Sequence, residues 1–509
     1  MADPIPAGTM TLMDHLPALP VLAPLLAAPL IAVIGVRHLA WPIAFATVLI
    51  SFITSVMLMF QVSDGSEISY AMGGWAPPFG IEYRIDAANA LVLSLISGIA
   101  VLIMPYCLGS LKHHISEKHH TLVYSTFLLA IMGLMGITIT GDAFNIFVFL
   151  EISSLSTYAL IAMGAERDRR ALTAAYDYLI MGTIGATFLV IGIGFLYMST
   201  GTLNLGDMAD RIAGQSDNRT VQAAFAFIII GLGLKVAIYP LHHWLPNAYT
   251  HAPTAITAFL AATATKAAVY VIMRFVFSVF VPAFEFVEHT LTWIFIPFAL
   301  LAMFAASFIA IFQNNFKRML AYSSIAQIGY MLLGIALLNA SGVAATFVHL
   351  VNHGVTKAAL FMGVGLLLLH SKTSFYDQIA GMGRRMPITG FLIVIAGLSL
   401  IGIPGTAGFI SKWQLVQAAF EADLWWIAFL IVASSLLAVV YVWRVIETLY
   451  LAEGPEGRLD EPLTMVIPAA IMAAVCIWFG FDTRFTLDIA QTAAEVLLSG
   501  PFSLTGGEG

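Results

Sequence analysis

Glu151, Lys235, Lys266, Lys357 and Lys412 each sit inside a stretch that is otherwise apolar enough to cross a membrane. A charge at the bilayer centre costs roughly 2.5–3.5 kcal/mol on insertion scales, so a chain that keeps such charges has a use for them. Carboxyl and amine groups in that position pair with one another or pass protons, and desolvation makes an ammonium give up its proton more readily. Glu151 stands in mid-run in GDAFNIFVFLEISSLSTYALIAMG, with Lys235 as its candidate partner. Lys235, Lys266 and Lys412 have no short route along which their ammonium groups snorkel to the surface. Imidazoles, which titrate in the physiological range, accompany them. His242 and His243 follow Lys235, while His349, His353 and Lys357 fall on one face of a helix at successive i, i+4 spacings. The histidine pair also has a metal-ligand spacing, but it lacks a third ligand nearby in sequence, so no metal site is expected. A single such lysine is readily a structural ion pair, and a single such histidine a packing residue. The set Glu151, Lys235, Lys266, Lys412, His242, His349, His353 and Lys357 reads better as a proton relay.

The elements that carry these groups are membrane helices. The chain has 509 residues, 60% hydrophobic and 10% charged, a composition outside the range of soluble domains. Runs of spanning length fall near 17–36, 40–62, 87–110, 121–140, 143–164, 171–199 and 221–244. Seven more fall near 253–281, 290–312, 319–338, 343–369, 388–420, 424–446 and 463–481. Fourteen spans leave the odd-numbered loops with thirteen basic residues: Arg37, Lys112, Lys118, Arg167, Arg169, Arg170, Lys317, Arg318, Lys372, Arg384, Arg385, Arg444 and Arg458. The even loops and the tail hold only Arg84, Arg211, Arg219 and Arg484. Cytoplasmic loops collect Lys and Arg, so both termini are expected outside the cytoplasm. The start, MADPIPAGTMTLMDHLPALP, lacks the basic region of a cleavable signal, so the first span is expected to be retained.

Three spans are expected to be interrupted beside an ionisable group, as where transporters place irregular backbone against a polar cavity. Pro240 and Pro246 follow Lys235, Gly354 lies between His353 and Lys357, and Gly402, Pro404, Gly405 and Gly408 precede Lys412. The seventh and twelfth spans lie five apart, and an odd offset inverts a repeat across the membrane. Two cysteines, Cys107 and Cys476, are too few for an iron–sulfur cluster, and no phosphate-binding glycine loop is present. Glycine pairs such as Gly231 and Gly233 read as close helix packing. No cofactor and no nucleic-acid partner is expected, which leaves an ion gradient or a partner subunit as the energy source. Arg274 and Asp142 read as anchors or mouth residues near the outer face, Asp177 as an entry-path residue or a helix cap, and His113, His114, His119 and His120 as a solvated loop.

The ordered motifs KVAIYPLHHWLPNAYTHAP from Lys235, KAAVYVIMR from Lys266, FKRMLAYSSIAQIGY from Phe316, HLVNHGVTKAALF from His349 and GIPGTAGFISKW from Gly402 carry a resemblance. Together with the acidic fifth span they resemble the antiporter-like membrane subunits of respiratory complex I and of Mrp cation/proton antiporters, across 120–430. Within that family, GGWAPPFGIEYRID at 73–86 and Lys412 are similar to the Mrp D subunit. The chain ends soon after its last span, unlike the largest relatives with a lateral helix. The resemblance implies an all-α membrane protein with two inverted five-helix repeats, helices 4–8 and 9–13, broken at helices 7 and 12. As one membrane domain, 1–509 would divide into 1–120, a first repeat 121–281, a second repeat 290–446 and a last helix 463–481. It also implies a Glu151–Lys235 pair, continued through Lys266 to Lys412 with His242, His349 and His353 as connectors. Complex I relatives carry Asp-Ala-His where this chain has Asn247, Ala248 and Tyr249, with His251 close by. The activity implied is monovalent cation (Na+/K+)/proton antiport with other membrane subunits in a bacterial inner membrane. The alternatives are a redox-driven proton pump, such as complex I or a membrane hydrogenase, and the membrane module of an inorganic-carbon uptake system. A purely structural scaffold fits the buried charges poorly.

Overall fold

A computed structural model describes residues 12–281 and 284–499, most of them helical. The opening residues on which the retained-first-span expectation partly rests lie outside the described residues. Among the described residues, thirteen helices are long and apolar enough to cross a membrane. The twelfth region holds shorter pieces, Tyr376–Arg385 and Pro387–Ile401 bent by 110°, and counting that bent pair as one span gives fourteen. Ala407–Glu421 completes this region after the break.

The seventh and twelfth spans are broken as the proline and glycine pattern dictates. Arg219–Val236 stops where Ala237 takes a left-handed conformation (φ 64°), and Trp244–His251 resumes the span beyond Pro240. Proline removes a donor and clashes with the preceding turn, so the helix cannot run through it. In the twelfth, Gly402 (φ 91°) ends Pro387–Ile401. That backbone conformation favours glycine. The eleventh span does not follow the expectation, because Ala340–Leu367 runs unbroken through Gly354. A side chain at Gly354 would lie 3.0 Å from the Ala262 carbonyl, so this glycine serves a close crossing with the eighth span rather than a break.

The eleventh span is the axis of the second half and packs against the third, the eighth (Thr254–Val279), the tenth (Phe316–Ala336), both halves of the twelfth and the fourteenth (Leu463–Phe481). The short half Trp244–His251 packs between the sixth span (Arg170–Thr200) and the tenth, and so joins the two halves of the molecule. The face opposite the basic loops is closed by a hairpin, β1 (Ile68–Ala71) antiparallel to β2 (Glu82–Ile85). Asp86 then caps the third span (Ala87–His114), accepting from Asn89 N at 2.9 Å. Asp142 caps the fifth (Ala143–Glu166) in the same way. A further helix, Arg484–Leu498, covers the third and eleventh spans and the end of the eighth. Hydropathy alone passes over it. Its buried residues Thr486, Ile489, Ala490, Ala493, Ala494 and Leu497 nevertheless recur at three- and four-residue spacing, the mark of a helix with one apolar face.

Candidate functional site

The four lysines are buried, with Lys266 and Lys357 at 0% exposure, and among the described residues none of the four forms an ion pair. Their donors go to hydroxyls and to main-chain carbonyls. Lys235, in the last turn before the break, donates to Ser154 Oγ and, at 3.4 Å, to the Tyr158 hydroxyl. The Tyr158 and Tyr178 rings lie 5.8 and 5.9 Å from its ammonium, within cation–π range. The break also frees the Leu234 carbonyl, which the Trp244 indole satisfies at 2.9 Å. Gly182 is required here, since a methyl at that position would collide with the Tyr158 hydroxyl.

Glu151 does not touch Lys235. It is half-buried, and its Oε1 has no hydrogen-bond partner. Ser154 and Tyr158 stand three and seven residues beyond it on the fifth span, so Glu151 and the two hydroxyls share one helix face. Lys235 is held one turn along that face from the carboxyl, about 4.5 Å of axial rise. A cavity of about 30 Å³ adjoins Lys235, lined by Ser153, Ser154, Thr157, Tyr178, Ala264 and Ala268, and reaches the eighth span. Roughly 10–15 Å³ by this measure holds a water, so the space admits hydrogen-bonded relay molecules.

Lys412 mirrors Lys235 across the second break. It follows the break by one turn and reaches back to the freed carbonyls of Leu400 and Ile401 at 3.1 and 2.8 Å. Its ammonium lies 5.0 Å from the Tyr330 ring. His349 and His353 stack in parallel, centroids 5.8 Å apart, and His349 Nδ1 bonds Ser411 Oγ at 2.9 Å. His349 Nε2 and both ring nitrogens of His353 are buried without partners beside a cavity of about 10 Å³ shared with Lys412. Lys266 donates to the Ala261 carbonyl and to Thr265 Oγ1. Lys357 donates to the Leu320 carbonyl at 2.8 Å and to Ser323 Oγ. His242 is half-buried and stacks on Tyr239 at 4.7 Å, next to the seventh-span break.

Several sequence-based assignments do not match the fold. Asp177 lies within the sixth span and accepts from Asn247 Nδ2 at 3.3 Å, while Asn247 Oδ1 accepts from Arg318 at 3.3 Å. It therefore faces the broken seventh span rather than capping a helix. Tyr249 is buried with its hydroxyl 3.3 Å from the Leu260 carbonyl. His114 and His120 are not solvated. Both are buried at helix ends, bonded to Ser110 O and Ile115 O. Arg274 is no surface anchor but pairs with Asp86 at 2.6 Å, both nearly inaccessible. Sequence reasoning missed Ser154, Tyr158, Tyr330, Ser323 and Ser411. Ser154 and Tyr158 were within reach, since their spacing from Glu151 places them on its face. Tyr330 and Ser323 come from another helix, so nothing local marks them.

Asp168, between the fifth and sixth spans, accepts from Arg170 Nε at 3.0 Å and His251 Nδ1 at 2.9 Å. Burial pushes its carboxyl up, but the hydrogen bonds from Arg170 and His251 outweigh that and hold it at about 2 against an ordinary 3.8. A depressed carboxyl stabilises the fold above its unfolded value, and that contribution fades as pH falls through the folded one. The melting-temperature gap between wild type and Asp168→Asn should therefore hold from neutrality to about pH 5 and close as pH 2 is approached. A gap that ignores pH would show that the carboxylate charge contributes nothing.

Helices broken at two related points, each with an unpaired lysine at the break, define a membrane protein of the antiporter type. The chain belongs to the family described as NADH:quinone oxidoreductase/Mrp antiporter, TM, which matches residues 140–438. It is 37% identical to the N subunit of the NADH-quinone oxidoreductase of Desulforudis audaxviator over 94% of this chain and 98% of that protein. It is 28% identical to the D subunit of the Na(+)/H(+) antiporter of Bacillus subtilis over 96% and 98%. Among solved structures, a chain of the Mrp complex from Dietzia sp. DQ12-45-1b superposes with TM-score 0.88 at 25% identity over 96% of this chain and 98% of that one. A chain of the membrane-bound sulfane sulfur reductase, an archaeal respiratory membrane complex, gives 0.88 at 29% over 95% and 98%. The expected fold, with helices seven and twelve broken, is thus the one found.

Proposed function

We propose that this chain is the proton-translocating subunit of a multi-subunit monovalent cation (Na+/K+)/proton antiporter in a bacterial inner membrane, with both termini outside the cytoplasm. The observation that carries the reading is the set of four buried lysines bonded to carbonyls and hydroxyls and not to carboxylates. A buried ammonium without a counter-charge is costly, which makes loss and regain of its proton a ready response. In this scheme Lys235 exchanges Ser154 for Glu151 along one helix face, and its proton affinity rises in the second position because the carboxylate stabilises the ammonium. Release on the return passes the proton through the adjoining cavity toward Lys266, then past His353 and His349 to Lys412. His242 serves the seventh-span break, and Lys357, on the eleventh span and bonded to the tenth, serves as a side station. The division into 1–120, 121–281, 290–446 and 463–481 belongs to the same proposal, each repeat carrying one broken helix.

A second reading has its own support, because identity is higher to a protein named as the N subunit of an NADH-quinone oxidoreductase than to one named as the D subunit of an antiporter. In it the same path is driven by a redox partner. One experiment separates the two: purify the native complex, reconstitute it in vesicles, and follow internal pH on adding Na+ or K+. The antiporter reading expects a cation-dependent pH change with no stoichiometric flavin or iron–sulfur absorbance. Stoichiometric chromophores with no cation response would overturn it in favour of the redox-driven pump.

A further inference from the structure

Apart from the relay, a cavity of about 500 Å³ lies among the basic loops. It forms where the loop between the fifth and sixth spans, the end of the seventh, the start of the tenth and the loop after the eleventh converge. Its lining includes Arg167, Arg170, Lys317, Arg318 and Lys372, and one acid, Asp168. Both Asp168 oxygens are already engaged, Oδ1 by Arg170 and Oδ2 by Arg170 and His251. Among the described residues, the other cations of the lining form no ion pair.

Two of these groups are unusual for a merely solvated basic rim. Lys317 is 3% exposed, and its ammonium bonds the Ala252 carbonyl at 2.7 Å with no carboxylate in ion-pair range. Thr373 Oγ1, also on the lining, is buried without a partner. Two of the guanidinium groups, those of Arg167 and Arg318, are held in place by neutral acceptors. Arg167 donates to the carbonyls of Ser371 and Lys372, both at 3.1 Å, and Arg318 donates to Asn247. Such fixed donors need little reorganisation to receive an anion. A monocarboxylate would leave most of the charge uncompensated, whereas a phosphate group brings up to two negative charges and several acceptor oxygens. Basic pockets between spans on the cytoplasmic side are also where lipid head groups bind.

We infer that this cavity binds a phosphate group, carried by an anionic phospholipid or as free phosphate, with Lys317, Arg318 and Lys372 as direct contacts. The site is separate from the lysine path, so its test does not depend on transport. The native complex is stripped of lipid in detergent and titrated with inorganic phosphate by calorimetry, with chloride holding ionic strength constant. In parallel it is placed in nanodiscs of phosphatidylcholine with and without phosphatidylglycerol, and retained lipid is read by native mass spectrometry. Phosphate binding in detergent assigns a free anion, and selective retention of phosphatidylglycerol assigns a head group. In either case Lys317→Met or Lys372→Gln should weaken binding about tenfold or more, as expected for a lost charged hydrogen bond. Lys372 is exposed, so its variant remains usable if Lys317→Met fails to assemble. Absence of both kinds of binding, or binding unchanged in both variants, overturns the assignment.

Discussion

Replacing Lys235 by alanine should lower cation-driven proton movement roughly 10²-fold or more, the scale of a lost positioned proton carrier, while the complex still assembles. The two halves of that expectation rest on different observations. Transport falls because Lys235 is the amine that reaches the face shared by Glu151, Ser154 and Tyr158, and no other described basic group donates to those hydroxyls. Assembly survives because the side chain makes no ion pair whose partner would be stranded. Losing its stem enlarges a cavity, which costs stability, but losing a buried charge that has no ion pair gives some of it back. Ser154 already donates to the Leu150 carbonyl at 2.6 Å, so its hydroxyl stays bonded when the lysine is lost. The measurement is acidification of vesicles holding equal amounts of assembled complex. Normal acidification would remove Lys235 from the path and leave its burial as a packing feature. Tyr158→Phe provides a graded companion, since it removes one acceptor and keeps the ring, and it should slow transport less than the lysine variant does.

The contrast between Lys235 and its supposed partner shows what a sequence of this kind discloses. Spans and the seventh- and twelfth-span breaks follow from hydropathy and from proline and glycine, all of which act locally, and the fold reproduces them. Gly354 shows where local reading fails. A glycine between two ionisable residues looks like a break, yet it serves a helix crossing whose other side, Ala262, is remote in sequence. Direct contact between Glu151 and Lys235 is missing for a related reason. Shared depth in the membrane makes two charges candidates, but which turn of the facing helix holds the ammonium depends on tertiary packing, here on Gly182 and the two hydroxyls. The cavity among the basic loops was legible only as a set of positive residues on odd loops. Their convergence, and the enclosure of Lys317, come from contacts between segments far apart in the chain.

The largest expected effect on stability lies at the opposite face. Arg274→Ala should destabilise the protein by about 3–5 kcal/mol, the cost of leaving one member of a buried pair uncompensated, and should lower its melting temperature and its yield. Arg274 reaches Asp86 at 2.6 Å from the end of the eighth span, and the Tyr270 hydroxyl accepts from it at 2.9 and 3.0 Å. Asp86 has a second duty, because its other oxygen caps the third span through Asn89 N. The arginine thus fixes the carboxylate that starts that helix and ties the hairpin to the eighth span across 188 residues. The pair can be distinguished from simple packing by a second substitution. Asp86→Asn keeps a good cap and removes the charge, so Arg274→Met combined with Asp86→Asn should be more stable than Arg274→Met alone. Additive losses in the double variant would mean that the two charges do not interact and that the arginine acts through its bulk. Transport per assembled complex should remain near wild type in the double variant, because this pair stands outside the lysine path, and a collapse of transport at normal assembly would instead place Arg274 within it.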